Sequence, residues 1–170
     1  MKVFGIILLL LLVAAGGLIY ADGSRLPVNH SVSVTGVVAA PPEKVFALIT
    51  DVKNSYVWRP EVKSVTTLEP DQGRDHWVEH LAHGQFMTFM ATRTDPPNRR
   101  EVQRDDPGAS YGGKWTYELS PGPEPATTTL RITEDGFIKP PIYRFVMARI
   151  MGPTKNLDAY MKDIQAAASK

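Results

Sequence analysis

The stretch KPPIYRFVMARIMGPTKNLDAYMKDIQAAASK, residues 139–170, decides the fold of this chain. Its apolar side chains recur at steps of three and four, which places them on one face of a helix. They are Phe145, Val146, Ile150, Pro153, Leu157, Tyr160, Met161, Ile164 and Ala168. The pattern predicts one long helix from Ile142 to Ala168, bent at Gly152-Pro153 without loss of this stripe. Such a helix needs an equally large apolar surface to cover it, and the middle of the chain must supply that surface.

The middle of the chain has the pattern of strands separated by turns. Polar and apolar residues alternate from His30 and predict a first strand, and two short helices follow, one after Pro42 and one over residues 51–60. Six further segments have strand character: Val62–Leu68, His76–Leu81, Phe86–Thr94, Arg99–Arg104, Tyr111–Leu119 and Ala126–Thr133. The short turns between them, rich in Pro, Gly, Asn and Asp, indicate antiparallel neighbours. We therefore predict an α+β fold in which an antiparallel sheet curls around the C-terminal helix.

The alternation also predicts which side chains face inward. Tyr111, Trp115, Tyr117 and Leu119 share one face of their strand, and Leu130 and Ile132 share the inner face of the next. In the segments at 76–81 and 86–94 both faces carry apolar residues, so the pattern does not assign an inner face there.

The first residues form an apolar segment. Val3 to Tyr20 contains no charged residue and follows Lys2. As a helix this segment would be roughly 27 Å long, which is close to the thickness of a bilayer's hydrocarbon core. We predict a single-pass membrane anchor, or signal anchor, with the following domain on the extracytoplasmic side, because Lys2 and the amino terminus favour the cytoplasm. The chain then divides into an anchor at 1–21, a linker at 22–29 and a domain at 30–170.

Two alternatives remain for this apolar segment. It could be a signal peptide that is cleaved after Ile19-Tyr20-Ala21, which would leave a secreted or periplasmic domain. It could also be a buried core helix, although a helix that is apolar on every side needs a larger protein to cover it. A cleaved signal peptide and a membrane anchor would both place the domain outside the cytoplasm.

Composition excludes several classes of function. The chain has 19 basic and 18 acidic residues, and this balance supplies no strong basic field, so we predict no nucleic-acid partner. It contains no cysteine, which excludes disulfides, thiolate metal ligands and a cysteine nucleophile.

Several short motifs resemble a known superfamily. In chain order they are Ala40-Pro41-Pro42-Glu43-Lys44-Val45-Phe46, Thr50-Asp51, Trp58-Arg59-Pro60-Glu61-Val62, Asp95-Pro96-Pro97, Gly113-Lys114-Trp115-Thr116-Tyr117-Glu118-Leu119 and Leu157-Asp158-Ala159-Tyr160-Met161. This order resembles the START-like helix-grip superfamily (SRPBCC), in particular its polyketide cyclase/dehydrase-like branch, over roughly residues 30–168. The resemblance implies a seven-stranded antiparallel sheet that grips the C-terminal helix, with a hydrophobic cavity between them. In such proteins the cavity holds lipids, sterols, polyketides or other apolar small molecules, and a minority are enzymes.

The candidate catalytic and metal motifs are weak. His76-Trp77-Val78-Glu79-His80 matches the H-x-x-E-H order of some zinc peptidases, but that chemistry needs a helix and this segment has strand character. We therefore predict no metal, no cofactor and no catalytic set, and we expect Glu79, Glu101 and Glu118 to face water. An enzyme would need an acid or base in the cavity, for which Arg104, His80, Tyr117 and Arg149 are the candidates.

Arg149 lies within the apolar arc of the predicted helix. If its side chain points inward, it must be paired or must meet an acidic or carbonyl group of a ligand; otherwise its stem lies on the surface and its head reaches water. The predicted ligand-binding residues are Met87, Phe89, Tyr111, Trp115, Tyr117, Phe145 and Arg149. For the aromatic residues and methionines the alternative is an ordinary core position.

These observations predict a membrane-anchored protein that binds a hydrophobic or lipid-like small molecule without breaking bonds. The first alternative is an enzyme of the polyketide cyclase/dehydrase type. The second is a protein-interaction module whose interior is filled by its own side chains, which a cavity well under about 300 Å³ would favour.

Overall fold

The computed structural model describes residues 2–170. Its helices are α1 (Lys2–Arg25), α2 (Pro42–Thr50), α3 (Pro141–Val146) and α4 (Lys155–Ala168), with a 3₁₀ turn at Val52–Val57 and a π-helical turn at Met147–Met151. Its strands are β1 (Asn29–Val38), β2 (Val62–Thr67), β3 (His76–Leu81), β4 (Phe86–Asp95), β5 (Arg99–Arg104), β6 (Tyr111–Pro121) and β7 (Thr128–Ile138).

The strands form one seven-stranded antiparallel sheet in the order β1-β7-β6-β5-β4-β3-β2. Strands β2 to β7 follow one another as neighbours, and β1 pairs with β7 from Asn29–Phe137 to Val38–Thr128. The predicted α+β helix-grip architecture is thereby confirmed. Strand β7 is longer than predicted, because backbone pairing with both β1 and β6 holds residues 134–138, where polar side chains interrupt the apolar alternation.

The main core lies between the sheet and two helices. Helix α2 has a proline at its first position, where no N–H is needed, and it buries Val45, Phe46 and Ile49. From the sheet, Leu130 and Ile132 are fully buried, as the alternation predicts. Helix α4 covers this cluster with its own stripe of Leu157, Met161, Ile164 and Ala168.

The C-terminal segment is not the single bent helix that we predict from its sequence. It consists of α3, the π-helical turn and α4, and it breaks at Gly152. Gly152 adopts φ 89° and ψ 144°, a conformation that side chains with a Cβ rarely adopt, and its N–H donates to the carbonyl of Met147. The break and the wider π turn change the rotation of the preceding residues relative to α4. The buried stripe therefore covers α4 only, and Ile150 is exposed.

Helix α1 is long and apolar enough between Phe4 and Arg25 to cross a membrane once, and its apolar side chains are exposed. By length and composition it could be a membrane anchor or a signal sequence. The helix continues four residues beyond the predicted end of the anchor, to Arg25, because its last turn packs against α3.

Candidate functional site

A cavity of about 690 Å³ lies between the inner face of the sheet and the C-terminal helical segments. Strands β3 to β7 form one wall, and the 3₁₀ turn, α3, the π-helical turn and α4 form the other. Most of the lining is aromatic or aliphatic: Ile49, Val52, Trp58, Trp77, Met87, Phe89, Val102, Tyr111, Trp115, Tyr117, Phe137, Ile138, Tyr143, Val146, Met147, Met151, Leu157 and Tyr160. The site is therefore a mainly apolar chamber of the kind that encloses small molecules.

Five of the seven predicted ligand-binding residues line this cavity: Met87, Phe89, Tyr111, Trp115 and Tyr117. Phe89 packs between two tryptophan rings, stacked on Trp77 and edge-on to Trp115, with ring centroids 5.8 Å apart in both pairs. The structure also assigns the faces that the sequence pattern leaves open, because Trp77 and Phe89 are the inward residues of β3 and β4. Whether these five residues bind a ligand stays a prediction.

The other two predicted residues, Phe145 and Arg149, lie outside the cavity lining. Arg149 is exposed, and its Nε donates to Asp22 over 3.1 Å. The buried arginine of this segment is Arg144, which donates to the backbone carbonyls of Gly23, Ile138 and Lys139. The prediction assumes that the helical phase of α4 continues back to Phe145, and the break at Gly152 removes that continuity.

An ion pair that the sequence pattern does not reveal lies at the cavity wall. Arg59 donates to Glu79 over 2.6 Å and to Glu61 over 2.8 Å, and the indole N–H of Trp77 also reaches Glu79 over 3.3 Å. The expectation that Glu79 faces water is wrong, since its side chain is only 5% exposed. It points inward because strand alternation places it on the same face as Trp77.

The same alternation separates the members of the H-x-x-E-H motif. His76 and His80 lie on the outer face, where they approach Asp105 at 3.3 Å and the hydroxyl of Thr66 at 3.2 Å. Glu79 faces the cavity. Within residues 2–170 no three histidine, aspartate or glutamate side chains come together in a way that could hold a metal ion.

Arg100 is a second buried cation that the sequence analysis does not identify. Its side chain is 1% exposed, donates to the carbonyl of Ile49 over 3.0 Å and lies over the ring of Trp77. Its Nε has no hydrogen-bond partner among the residues that the structure describes. Burial lowers the pKa of Arg100. Arg100 lies two residues before the buried Val102, which places both side chains on the same face of β5. The sequence pattern alone does not indicate an inward arginine, because the other residues of β5 are polar.

Two tyrosines complete this end of the cavity. The rings of Tyr117 and Tyr160 lie 6.0 Å apart, and the guanidinium of Arg59 lies 5.0 Å from the Tyr160 ring centroid. Burial raises the pKa of both phenols. They are therefore neutral near pH 7, where each can donate one hydrogen bond but neither acts as a base.

The family described as "Polyketide cyclase / dehydrase and lipid transport" matches residues 29–162, which is most of the chain. This chain belongs to that family. No curated protein sequence matches it. The match covers the whole sheet and most of α4, but it does not cover α1.

Solved structures with little sequence identity share this fold. The Zhui aromatase/cyclase from Streptomyces sp. R1128 is 18% identical, covers 83% of this chain and 94% of its own, and superposes with a TM-score of 0.66. A START superfamily protein from Mycobacterium smegmatis is 20% identical, with coverages of 82% and 97% and a TM-score of 0.62. At these identities the similarity shows the fold only, and the family supports a ligand-binding or cyclase role.

Proposed function

We propose that this protein is a membrane-anchored binding protein that holds a hydrophobic or lipid-like small molecule in its cavity. The observation that carries the proposal is the cavity volume of about 690 Å³, bounded mainly by aromatic and aliphatic side chains. Cavities of roughly 300–1,000 Å³ with such walls enclose most of a small ligand's surface. Met87, Phe89, Tyr111, Trp115 and Tyr117 are the proposed wall residues that contact it.

The polar groups at one end of the cavity suggest which part of the ligand lies there. The hydroxyl groups of Tyr117 and Tyr160 are neutral, and the guanidinium groups of Arg59 and Arg100 lie close to them at the cavity wall. Neutral hydroxyls and buried cations in an apolar surrounding favour an acceptor atom, so a ligand oxygen at this end of the cavity would be stabilised. We infer a ligand with a largely apolar body and a carbonyl, hydroxyl or carboxylate at its inner end.

The anchor part of the proposal rests on α1. We infer that residues 1–21 hold the domain of residues 30–170 to the extracytoplasmic face of a membrane, with Lys2 on the cytoplasmic side. A tether of this kind keeps the cavity at high local concentration beside the bilayer, where apolar ligands partition. Determination of the mature amino terminus tests it, because a chain that begins at Asp22 would show that the segment is a cleaved signal peptide.

Native mass spectrometry of the purified full chain, followed by lipid extraction, tests the binding function. We expect a co-purifying ligand whose mass identifies an apolar or amphipathic molecule. A chain that is isolated empty, and that takes up no pyrene-labelled fatty acid at micromolar concentration, would contradict the binding role.

An enzyme of the cyclase/dehydrase type is the second candidate. It is favoured by the family and by the phenols of Tyr117 and Tyr160 at the cavity wall, since a neutral tyrosine can protonate or orient a substrate carbonyl. Incubation with a poly-β-ketone thioester distinguishes the two roles. Turnover that Tyr160→Phe abolishes would favour the enzyme, and unchanged substrate that stays bound would favour the carrier. An interaction module with a filled interior has less support, because the cavity exceeds the volume of about 300 Å³ below which we would favour it.

A further inference from the structure

The last turn of α1 is attached to the C-terminal helical segment at two points. At the first, the carbonyl of Gly23 accepts a hydrogen bond from Arg144 over 2.9 Å, and a Cβ added to Gly23 would lie 2.0 Å from the carbonyl oxygen of Pro141. At the second, Asp22 pairs with Arg149. Residues 141–151 therefore pack directly against the end of the apolar helix.

The same residues 141–151 also form part of the cavity wall, through Tyr143, Val146, Met147 and Met151. The neighbouring rim comes from the turn between β3 and β4, where the hydroxyl of Tyr111 donates to Gln85 over 3.0 Å. One short segment thus contacts both α1 and the cavity. This end of the cavity must lie next to the base of α1.

The outer surface of residues 141–151 is apolar and aromatic. Ile142 is exposed, and so are Tyr143, at 56%, and Ile150, at 69%. Residues 139–155 contain no acidic side chain, and three of their four basic side chains are exposed, those of Lys139, Arg149 and Lys155. Exposed apolar side chains, a tyrosine and basic residues together are typical of helices that lie in the headgroup layer of a membrane.

The position of the contact along α1 matches that layer. Gly23 follows Ala21, the last residue of the uncharged run, by two residues, which is roughly 3 Å along the helix axis. Interfacial helices lie at about this depth, where their apolar face reaches the acyl boundary.

We propose that residues 141–151 lie in the headgroup layer of the bilayer that α1 crosses, and that the cavity takes its amphipathic ligand directly from this bilayer. The inference rests on the proposed binding function and adds the route by which the ligand enters the cavity. The occupant of the exposed surface is the lipid around α1, because a helix that is apolar on all sides fixes the adjoining segment at the membrane surface.

Site-specific fluorescence on the full chain in vesicles tests this placement. The native sequence has no cysteine, so Ile150→Cys and Glu69→Cys each give a single site for a nitrobenzoxadiazole label. Glu69 is the matched control, because it is exposed in the connection between β2 and β3, at the end of the sheet away from the β3–β4 turn. In phosphatidylcholine vesicles we expect a blue-shifted emission at residue 150, with quenching by a lipid that carries a nitroxide, and neither effect at residue 69.

Two results would overturn the proposal. The label at residue 150 could behave as the water-exposed label at residue 69 does, with circular dichroism showing an intact fold. It could also be blue-shifted yet unaffected by the lipid quencher, which would assign the surface to another copy of the chain. Failure of the binding function gives a different result, namely a lipid-quenched label at residue 150 on a protein that takes up no pyrene-labelled fatty acid.

Discussion

At the scale of single residues, the ion pair of Arg59 and Glu79 makes the stability of the fold sensitive to substitution. Because Glu79 is almost fully buried and Arg59 is 16% exposed, removing one partner leaves the other charge poorly solvated. We expect Glu79→Ala to lower the free energy of unfolding by about 3 kcal/mol, measured by urea denaturation.

The chain contains a matched control for this change. Glu61 pairs with the same guanidinium but is 44% exposed, so Glu61→Ala should cost less than about 1 kcal/mol. Equal losses for the two variants would contradict the role that we assign to burial.

Stability at alkaline pH reports on Tyr117 and Tyr160. Burial raises the pKa of both phenols in the folded protein, whereas in the unfolded chain they lose their protons near pH 10. Above about pH 10 the unfolded state binds fewer protons than the folded state, so stability falls as the pH rises. We expect the free energy of unfolding to decrease above that pH and the decrease to be smaller in Tyr160→Phe. An identical decrease in both proteins would show that Tyr160 is not protected.

The sequence pattern predicts the residues of the cavity only in part. Alternation places Tyr117 and Trp115 inward because their strand has one clearly apolar face. Glu79 and Arg100 also lie on the same strand faces as buried apolar residues. Strand alternation does not reveal that Glu79 has a buried partner, Arg59, which is distant in sequence. From the sequence alone, a polar residue such as Glu79 is therefore predicted to face solvent, although its contact with Arg59 holds it inside.

At the scale of the elements, Gly152 determines how the C-terminal segment is divided. Its φ of 89° is costly for a residue with a Cβ, by about 1–3 kcal/mol. We expect Gly152→Ala to lower the free energy of unfolding by that amount, and Pro153→Ala to have a smaller effect. A larger loss in Pro153→Ala would show that the proline, and not the glycine conformation, ends the π-helical turn.

The contact between α1 and α3 depends on Gly23. A Cβ there would overlap the carbonyl oxygen of Pro141, so we expect Gly23→Ala to separate the two helices and to increase amide hydrogen exchange in residues 141–151. Gly17→Ala is the control, because a Cβ at Gly17 meets nothing within 4 Å. Exchange that increases equally in both variants, or in neither, would contradict this account of the contact.

The elements themselves are largely predictable, and the exceptions have local causes. The strands at 76–81 and 99–104 match their predicted bounds because turn residues separate them clearly. The C-terminal segment is predicted as one helix because its apolar spacing passes through Gly152-Pro153 without interruption. The spacing of apolar residues carries no information about the backbone conformation of Gly152. The φ of 89° at this residue shows that the segment is divided.

At the scale of the whole molecule, one sheet and a divided helical segment enclose an aromatic cavity beside an apolar N-terminal helix. The family and the fold follow from the order of the elements and the short motifs along the chain. The volume of the cavity and its position beside α1 cannot be predicted from the sequence pattern, because both depend on how α3 packs.

Occupancy of the cavity is the central claim, and a matched pair of tryptophan variants tests it most directly. Met147 lines the cavity, whereas the neighbouring Ala148 is exposed and lies outside the lining. Native mass spectrometry of the full chain should show bound ligand in the wild type and in Ala148→Trp, and a loss of ligand in Met147→Trp, where the larger side chain occupies the cavity. Ligand retained equally by all three folded proteins would contradict the claim that it binds in this cavity.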